Sequence, residues 1–307
     1  MIGIKRIASY VPNTVQLASE LAVELGENAD FPSLRLGTER LPRLNSGEDT
    51  SDLAARAVRF LLEQESLSLC EIDCLVVCTQ NPDGSGLPHT SAIVQQKAGL
   101  SDSCACFDIS LGCSGFVYGL NVVKGFMEAA GLEKGILVTA DPYSKALDMS
   151  DKNTAMLFGD AATATLLSDD AVLDIGESVY STSGTGAKYL EKTDKIFMNG
   201  RQIFNFVQKH VPLQIKELLE KAGLNNGDVD QFILHQASKH MVSTLVQRLE
   251  LDEEKVPFDI CDTGNTVSSS IPLILRKFIE RPETKLILIS GFGVGLSSGS
   301  MILKRRD

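Results

Sequence analysis

The chain has 307 residues, 43% of them hydrophobic and 22% charged, which suffices for a large buried core in one or two domains. A formal net charge of −11 excludes nucleic acid as the main partner, because phosphate binding needs a basic surface. No apolar run approaches the length of a membrane span, and the seven cysteines, odd in number and not spaced as a disulfide framework, point to a reducing cytoplasm.

Taken in order, the chain alternates strands and helices. The start, Met1-Ile-Gly-Ile-Lys-Arg-Ile7, is too short and too quickly charged to read as a signal peptide, and residues 2–9 form a strand pattern. Leu17 to Leu25 reads as a short helix broken by Gly26. Residues 31–48 read as a loop carrying Arg35, Arg40 and Arg43. Leu53, Ala54, Ala57, Val58, Leu61 and Leu62 keep the helical period between Thr50 and Leu67. Asp73 to Cys78 is a buried strand, Asn81 to Pro88 a loop, and Thr90 to Ala98 a helix.

An apolar run, Ala105-Cys-Phe107, leads as a strand into Asp108-Ile-Ser-Leu-Gly-Cys-Ser-Gly-Phe116. Phe116, Val117, Leu120, Val123 and Met127 then share one helix face. Cys113 therefore falls on a strand-to-helix turn at a helix N-terminus, where unpaired N–H groups favour a thiolate. That is the layout of a nucleophile elbow with sulfur in place of a serine, although a packed core cysteine would give the same pattern. Gly135 to Thr139 is a strand, 141–157 a long polar connection, and Gly159 to Leu167 a strand of small residues.

The second half repeats this plan. Ser178 to Thr185 is strand-like, Ile203 to Ala222 a helix ended by Gly223, Asp230 to Leu234 a strand capped by His235, and Lys239 to Leu249 a helix. Phe258 to Ile260 and Lys285 to Ile289 are strands, Ser268 to Ile279 is a helix, Gly291 to Gly295 is a glycine turn, and Ser300 to Lys304 is the last strand. Phe107-Asp-Ile109 repeats as Phe258-Asp-Ile260 at an offset of 151, which also carries Lys134 and Ile136 to Val138 onto Lys285 and Ile287 to Ile289. Asp73 to Val77 matches Asp230 to Leu234 at an offset of 157.

This duplication gathers Cys113, His235 and Asn265 beyond strand ends, where ligands of α/β sheets bind. A papain-like Cys–His–Asn reading conflicts with the duplicated plan. A buried cysteine beside two neutral donors suits acyl transfer without water instead. The cysteine would take an acyl group as a thioester. His235 Nε2 and the Asn265 amide would then stabilise an enolate, with backbone N–H groups of Cys113 and Val294 holding the thioester oxyanion. Cys70, Cys74 and Cys78 recur every four residues near His89, but they read as core rather than as a zinc site.

Five motifs in order resemble those of the thiolase-fold condensing enzymes, specifically the β-ketoacyl-ACP synthase III family. They are Gly112-Cys-Ser-Gly-Phe116, Gly159-Asp160, His235-Gln-Ala237, Gly264-Asn-Thr266 and Phe292-Gly-Val-Gly-Leu-Ser-Ser-Gly-Ser300, within a resemblance running from about Ile4 to Lys304. Hydroxymethylglutaryl-CoA synthase is the less firmly excluded relative, and no suitably placed Glu lies near 73–88. The resemblance implies an α/β, thiolase-like fold of two duplicated mixed-sheet βαβ-rich halves in α-β-α-β-α layers. Residues 1–170 would carry Cys113, and 171–307 would carry His235 and Asn265. It implies a cytoplasmic homodimer working by a ping-pong mechanism without metal or cofactor. An acyl-CoA or acyl-ACP would load Cys113, and malonyl-ACP would then decarboxylate and condense in fatty acid or related biosynthesis.

The same resemblance places Phe31 and Lys145 where the family holds CoA between a Trp and an Arg, in a chain that has no Trp. Lys contacts phosphate without the planar stacking of Arg. Arg35 and Arg201 join these as CoA or pantetheine contacts, and Leu87 and Phe292 stand at the acyl pocket and its gate, Leu87 in place of an aromatic. Lys239, His240 and Arg248 share one helix as a carrier-protein patch, with Arg201 and Lys209 near the mouth. The alternatives are a specialised-metabolism member acylating a non-malonyl acceptor, or a non-catalytic partner subunit. The intact Cys–His–Asn set speaks against the latter.

Overall fold

The computed structural model describes residues 1–306. The first half contains β1 (Gly3–Tyr10), β2 (Val15–Leu17), α1 (Ala18–Glu24), β3 (Arg40–Pro42), α2 (Thr50–Glu65), β4 (Cys74–Cys78), α3 (Thr90–Ala98) and β5 (Ala105–Ile109). It continues with α4 (Gly115–Ala130), β6 (Gly135–Ala140), α5 (Lys152–Ala155) and β7 (Ala162–Ser168). The second half contains β8 (Leu173–Thr182), β9 (Leu190–Lys192), β10 (Ile196–Met198), α6 (Gly200–Ala222), β11 (Gln231–Leu234), α7 (Lys239–Leu249), α8 (Ser270–Ile279), β12 (Leu286–Gly293) and β13 (Ser297–Arg305).

Nine strands run in the order β11-β12-β13-β8-β1-β7-β6-β4-β5. Each half contributes one side of the β8–β1 contact, which is paired only at Gly3 with Asp174 and Ile4 with Leu173. Gly3 permits that approach, since a Cβ there would lie 2.4 Å from the Leu173 carbonyl oxygen.

Strand alternation sorts the side chains into layers. Cys74, Val76 and Cys78 of β4 and Leu137 of β6 pack inward against α4. On the other half Ile233, Ile287, Ile289, Met301 and Leu303 pack inward against α8 in the same cluster. The opposite faces, Leu75, Val77, Ile136 and Val138, pack on α2 and α3. Phe232, Leu234, Leu288 and Ile302 pack on α6 and α7. The layers are thus helix, sheet, helix, sheet, helix, with α4 and α8 shared by both sheets.

The repeat is exact at Asp73 and Asp230. Asp73 Oδ2 accepts from the backbone N–H groups of Glu133 and Lys134, and Asp230 Oδ2 from those of Lys285 and Leu286. The structure corrects the offset for the following strands. Leu75 pairs with Ile136, and Phe232, its mate at 157, pairs with Leu288, one residue beyond the 151 alignment. Ile136 and Leu288 both face outward, whereas Ile287 faces inward, and a one-residue slip exchanges the faces of a strand.

Phe258–Ile260 is not a strand. The buried Gln236 side chain takes its backbone bonds, accepting from the Asp259 N–H at 3.0 Å and donating to Pro257 O at 3.2 Å. The connection 141–157 is not uniformly polar either, since Tyr143, Ala146, Leu147 and Ala155 to Leu157 are buried. The β9–β10 hairpin, a π-helical turn at Pro32–Leu36 and strand β3 occupy stretches without a periodic signal. The glycine turn falls later than its sequence suggests: β12 runs through Gly291 to Gly293, and the turn is Val294–Leu296.

Candidate active site

Cys113 follows β5 and precedes α4, buried against the β12–β13 turn. The glycines around it are explained by close approach. A Cβ on Gly293 would lie 2.7 Å from Cys113 Sγ, one on Gly291 2.7 Å from Cys113 O, and one on Gly115 would strike Cys78 Sγ. Ser114 Oγ meets Ser297 Oγ at 2.6 Å, and Ser297 Oγ donates to Val294 O at 2.9 Å, so the serine of the cysteine motif fixes the opposing turn. The turn at Cys113 is made without positive φ, so it lacks the backbone strain of a nucleophile elbow.

Burial pushes the Cys113 thiol up to about 12, against a backbone hydrogen bond from Val294, and the nearby Asp141 carboxylate adds to the rise. The resting group is a thiol, contrary to the thiolate expected from its place before a helix. Desolvation outweighs the helix terminus here. Asp141, itself pushed up to about 6 by burial, accepts from Gln80 N at 2.7 Å, Ser268 Oγ at 2.5 Å and Thr79 Oγ1 at 3.3 Å.

His235 ends β11 and is 2% exposed. Its Nδ1 lies 2.6 Å from Ser270 Oγ, which leaves Nε2 for the cavity, and its ring packs edge-on to Phe292 at 5.5 Å. Burial lowers its pKa to about 3, so the imidazole is neutral. Asn265 is buried, and its Oδ1 accepts from Val267 N at 2.9 Å while Nδ2 donates to Ala237 O at 3.3 Å. The backbone of Asn265 bonds across to Leu157 and Gly159 of the first half. Gly159 has no room for a side chain, since a Cβ would lie 2.0 Å from Thr263 O. Gly264 turns at φ +63° against Leu157 O. These contacts account for the Gly159-Asp160 and Gly264-Asn-Thr266 motifs. Val267 adopts φ 54°, an uncommon conformation for a β-branched residue that places its N–H on the Asn265 amide.

Cys113, His235, Asn265 and Phe292 line one cavity of about 530 Å³ with a largely apolar wall. Phe31 and Arg201 stand on its wall and mouth, beside the Lys152–Glu27 pair at 2.5 Å. His240 also lines it, stacked on Phe204 at 5.2 Å between ring centres.

Five expected positions fall elsewhere. Lys145 donates to Asp49, Thr50 Oγ1 and the carbonyls of Asn81 and Pro82, so its charge is spent inside the fold and does not reach the cavity. Leu87 is 89% exposed on its loop and gates nothing within the single chain. Arg35 is exposed outside the cavity wall, although Phe31 and Leu36 around it belong to that wall. Arg248 lies in the last turn of α7, in a groove with Pro212 and Leu224. Nine helical positions set it about half a turn around the helix from Lys239, so the three basic residues do not form one patch. Lys239 is exposed at the first turn beside Gly37, without lining the cavity. Sequence reasoning missed Ser270, Asp141, Tyr143 and Phe204. The run Val267-Ser-Ser-Ser270 was the available signal for the first of these.

Two family models match this chain: 3-oxoacyl-[acyl-carrier-protein (ACP)] synthase III over residues 107–184, and the C-terminal part of the same family over 219–305. A β-ketoacyl-[acyl-carrier-protein] synthase III of Streptococcus mutans is 35% identical, over 98% of this chain and 98% of the relative. A crystal structure of a 3-oxoacyl-(acyl-carrier-protein) synthase III superposes with a TM-score of 0.92 at 31% identity, covering 99% of both chains. The synthase III of Aquifex aeolicus gives 0.92 at 28% identity, covering 99% of this chain and all of the other. With motifs, layers and near-full-length identity in agreement, the chain belongs to the β-ketoacyl-ACP synthase III family, condensing acyltransferases of the thiolase fold.

Proposed function

We propose that the chain loads an acyl group from acyl-CoA or acyl-ACP onto Cys113 and condenses it with malonyl-ACP, in fatty acid biosynthesis. The observation that carries this reading is that Cys113, His235 and Asn265 line one cavity. In the first half-reaction the donor's C–S bond breaks, the Cys113 Sγ–C bond forms, and the thiol proton leaves with the departing thiolate. Backbone N–H groups of Cys113 and Val294 stabilise the oxyanion. In the second, malonyl-ACP loses carbon dioxide, and its enolate oxygen is held by His235 Nε2–H and the free N–H of the Asn265 amide. The enolate carbon attacks the thioester, and the Cys113 thiolate leaves and takes a proton from water to restore the resting thiol. A neutral imidazole suits this donor role, and no step requires a metal or cofactor.

Phe31 supports the adenine end of CoA by stacking, and Arg201 meets its phosphates or the carrier protein at the mouth, with Lys239 and His240 beside it. No helix of the described residues is long and apolar enough to cross a membrane, and a cytoplasmic setting fits the free cysteines. A homodimer is supported by β5, an edge strand flanked by half-buried Phe107, Ile109 and Phe126. Residues 1–170 and 171–307 serve as its two halves. Intact-protein mass spectrometry with acyl-CoA and acyl-ACP donors, followed by malonyl-ACP, tests the reading. The acyl mass should appear and then be discharged. Gain of that mass by Cys113→Ala would overturn the nucleophile.

A further inference from the structure

A second cavity, of about 320 Å³, adjoins the first. Its wall includes Gln80, Asn81, Ser110, Tyr143, Leu190 and Val294. Leu190 belongs to both cavities, and the Val294 backbone bonds to Cys113 Sγ, so the recess begins beside the nucleophile. Six of its nine wall residues are polar, which makes it a poor container for a long alkyl chain.

Tyr143 is the built polar group of this recess. The residue is 4% exposed, its ring lies 4.8 Å from that of Phe158, and Phe158 is part of the Cys113 cavity wall. The phenol hydroxyl has no hydrogen-bond partner among the described residues, yet it is not one of the fully enclosed orphan atoms. The hydroxyl therefore keeps some accessible surface, on a residue that lines the recess. A buried tyrosine hydroxyl ordinarily finds a partner, and here the occupant of the recess must supply it. Burial, with Cys113 and Asp141 nearby, holds the phenol well above its ordinary pKa, so it remains an O–H donor at neutral pH.

We propose that the recess is an acyl subsite selecting short acyl groups that carry an oxygen substituent, with the Tyr143 hydroxyl donating to that oxygen. This rests on the assignment of Cys113 as the acyl acceptor. A purely alkyl group would displace water from the hydroxyl and leave it unpaired, whereas a hydroxyl or keto oxygen would satisfy it.

The test uses the full chain and a pair of donors alike in shape, 3-hydroxybutyryl-CoA and 3-methylbutyryl-CoA, with acetyl-CoA as reference. Rates of adduct formation are read by intact mass for the native chain and Tyr143→Phe. The hydroxylated donor should react about tenfold faster than its methyl counterpart with the native chain, as one unpaired hydroxyl predicts, and Tyr143→Phe should bring the ratio near one. The ratio is independent of any overall loss of activity in the variant. A native ratio near one, or a ratio unchanged in Tyr143→Phe, overturns the subsite. Absence of adduct from every donor, acetyl included, whether offered as the CoA or as the ACP thioester, instead overturns Cys113 as acceptor and the subsite with it.

Discussion

Ser270 Oγ lies 2.6 Å from Nδ1 of His235 and also accepts, at 3.4 Å, from the backbone N–H of Gln236. A serine hydroxyl has one proton and two lone pairs, so it can accept from the amide and still give its proton to the imidazole, the arrangement that the donor role of Nε2 requires. Nδ1 then accepts, and Nε2 carries the ring hydrogen into the cavity. Ser270→Ala frees the tautomer. Condensation with malonyl-ACP should fall on the order of tenfold, the worth of one such hydrogen bond, while loading of Cys113 changes little. Separate rates for the two half-reactions check this.

The neutral state of His235 also shapes acid stability. Its pKa in the fold is about 3 against an ordinary 6.5, so the unfolded chain binds the extra proton. The stabilisation is complete above pH 6.5 and is lost as pH falls toward 3. His235→Gln should flatten the decline of melting temperature across that window.

Asp141 acts on the thiol from beneath. Its carboxylate raises the Cys113 pKa, so Asp141→Asn should lower it. The pH dependence of alkylation by iodoacetamide should move down by about one unit. The charge of Asp141 itself is unfavourable in the fold, since its pKa is about 6 against 3.8. Its contribution to stability therefore declines as pH rises from 3.8 through 6, and in the Asn variant that decline should vanish.

The mouth and the far end of α7 make different predictions. Arg201→Glu and Lys239→Glu should raise the KM for a carrier-bound substrate several-fold, with a change of sign costing about 1 kcal/mol per contact. Arg248→Glu should leave KM alone. Steady-state kinetics with an acyl carrier protein distinguish them.

Two glycines should respond oppositely to alanine. At Gly159 a Cβ would lie 2.0 Å from Thr263 O, and backbone must move, so Gly159→Ala should cost roughly 3 kcal/mol or more and disturb Asn265. Gly125, exposed within α4, has open space around it. Gly125→Ala should stabilise by about 0.5–1 kcal/mol. Denaturant unfolding measures both.

Strong periodicity made α2, α4 and α6 legible from sequence, and the duplicated plan gathered Cys113, His235 and Asn265, which the motifs then matched. The repeat revealed the duplicated plan, but its register depends on which face of β12 meets α8 and which meets α6 and α7, and apolar residues on both faces hide that. Phe258–Ile260 failed because Gln236, a side chain from another segment, replaced the ladder. Lys145 failed because an ammonium group binds carbonyls within the fold as readily as phosphate. Tyr143 and Asp141 lie in a connection without pattern, where burial is set by distant partners.

The shared middle layer has a consequence for how the protein is made. Helix α4 ends at Ala130, and α8, which shields the other inner sheet face beside it, begins at Ser270. At roughly 5–20 residues per second of synthesis, α4 waits on the order of ten seconds for its companion to be translated. Throughout that interval the nascent chain presents an apolar helix face to the cell, so its passage from ribosome to native state is the stage at which chaperone protection matters most.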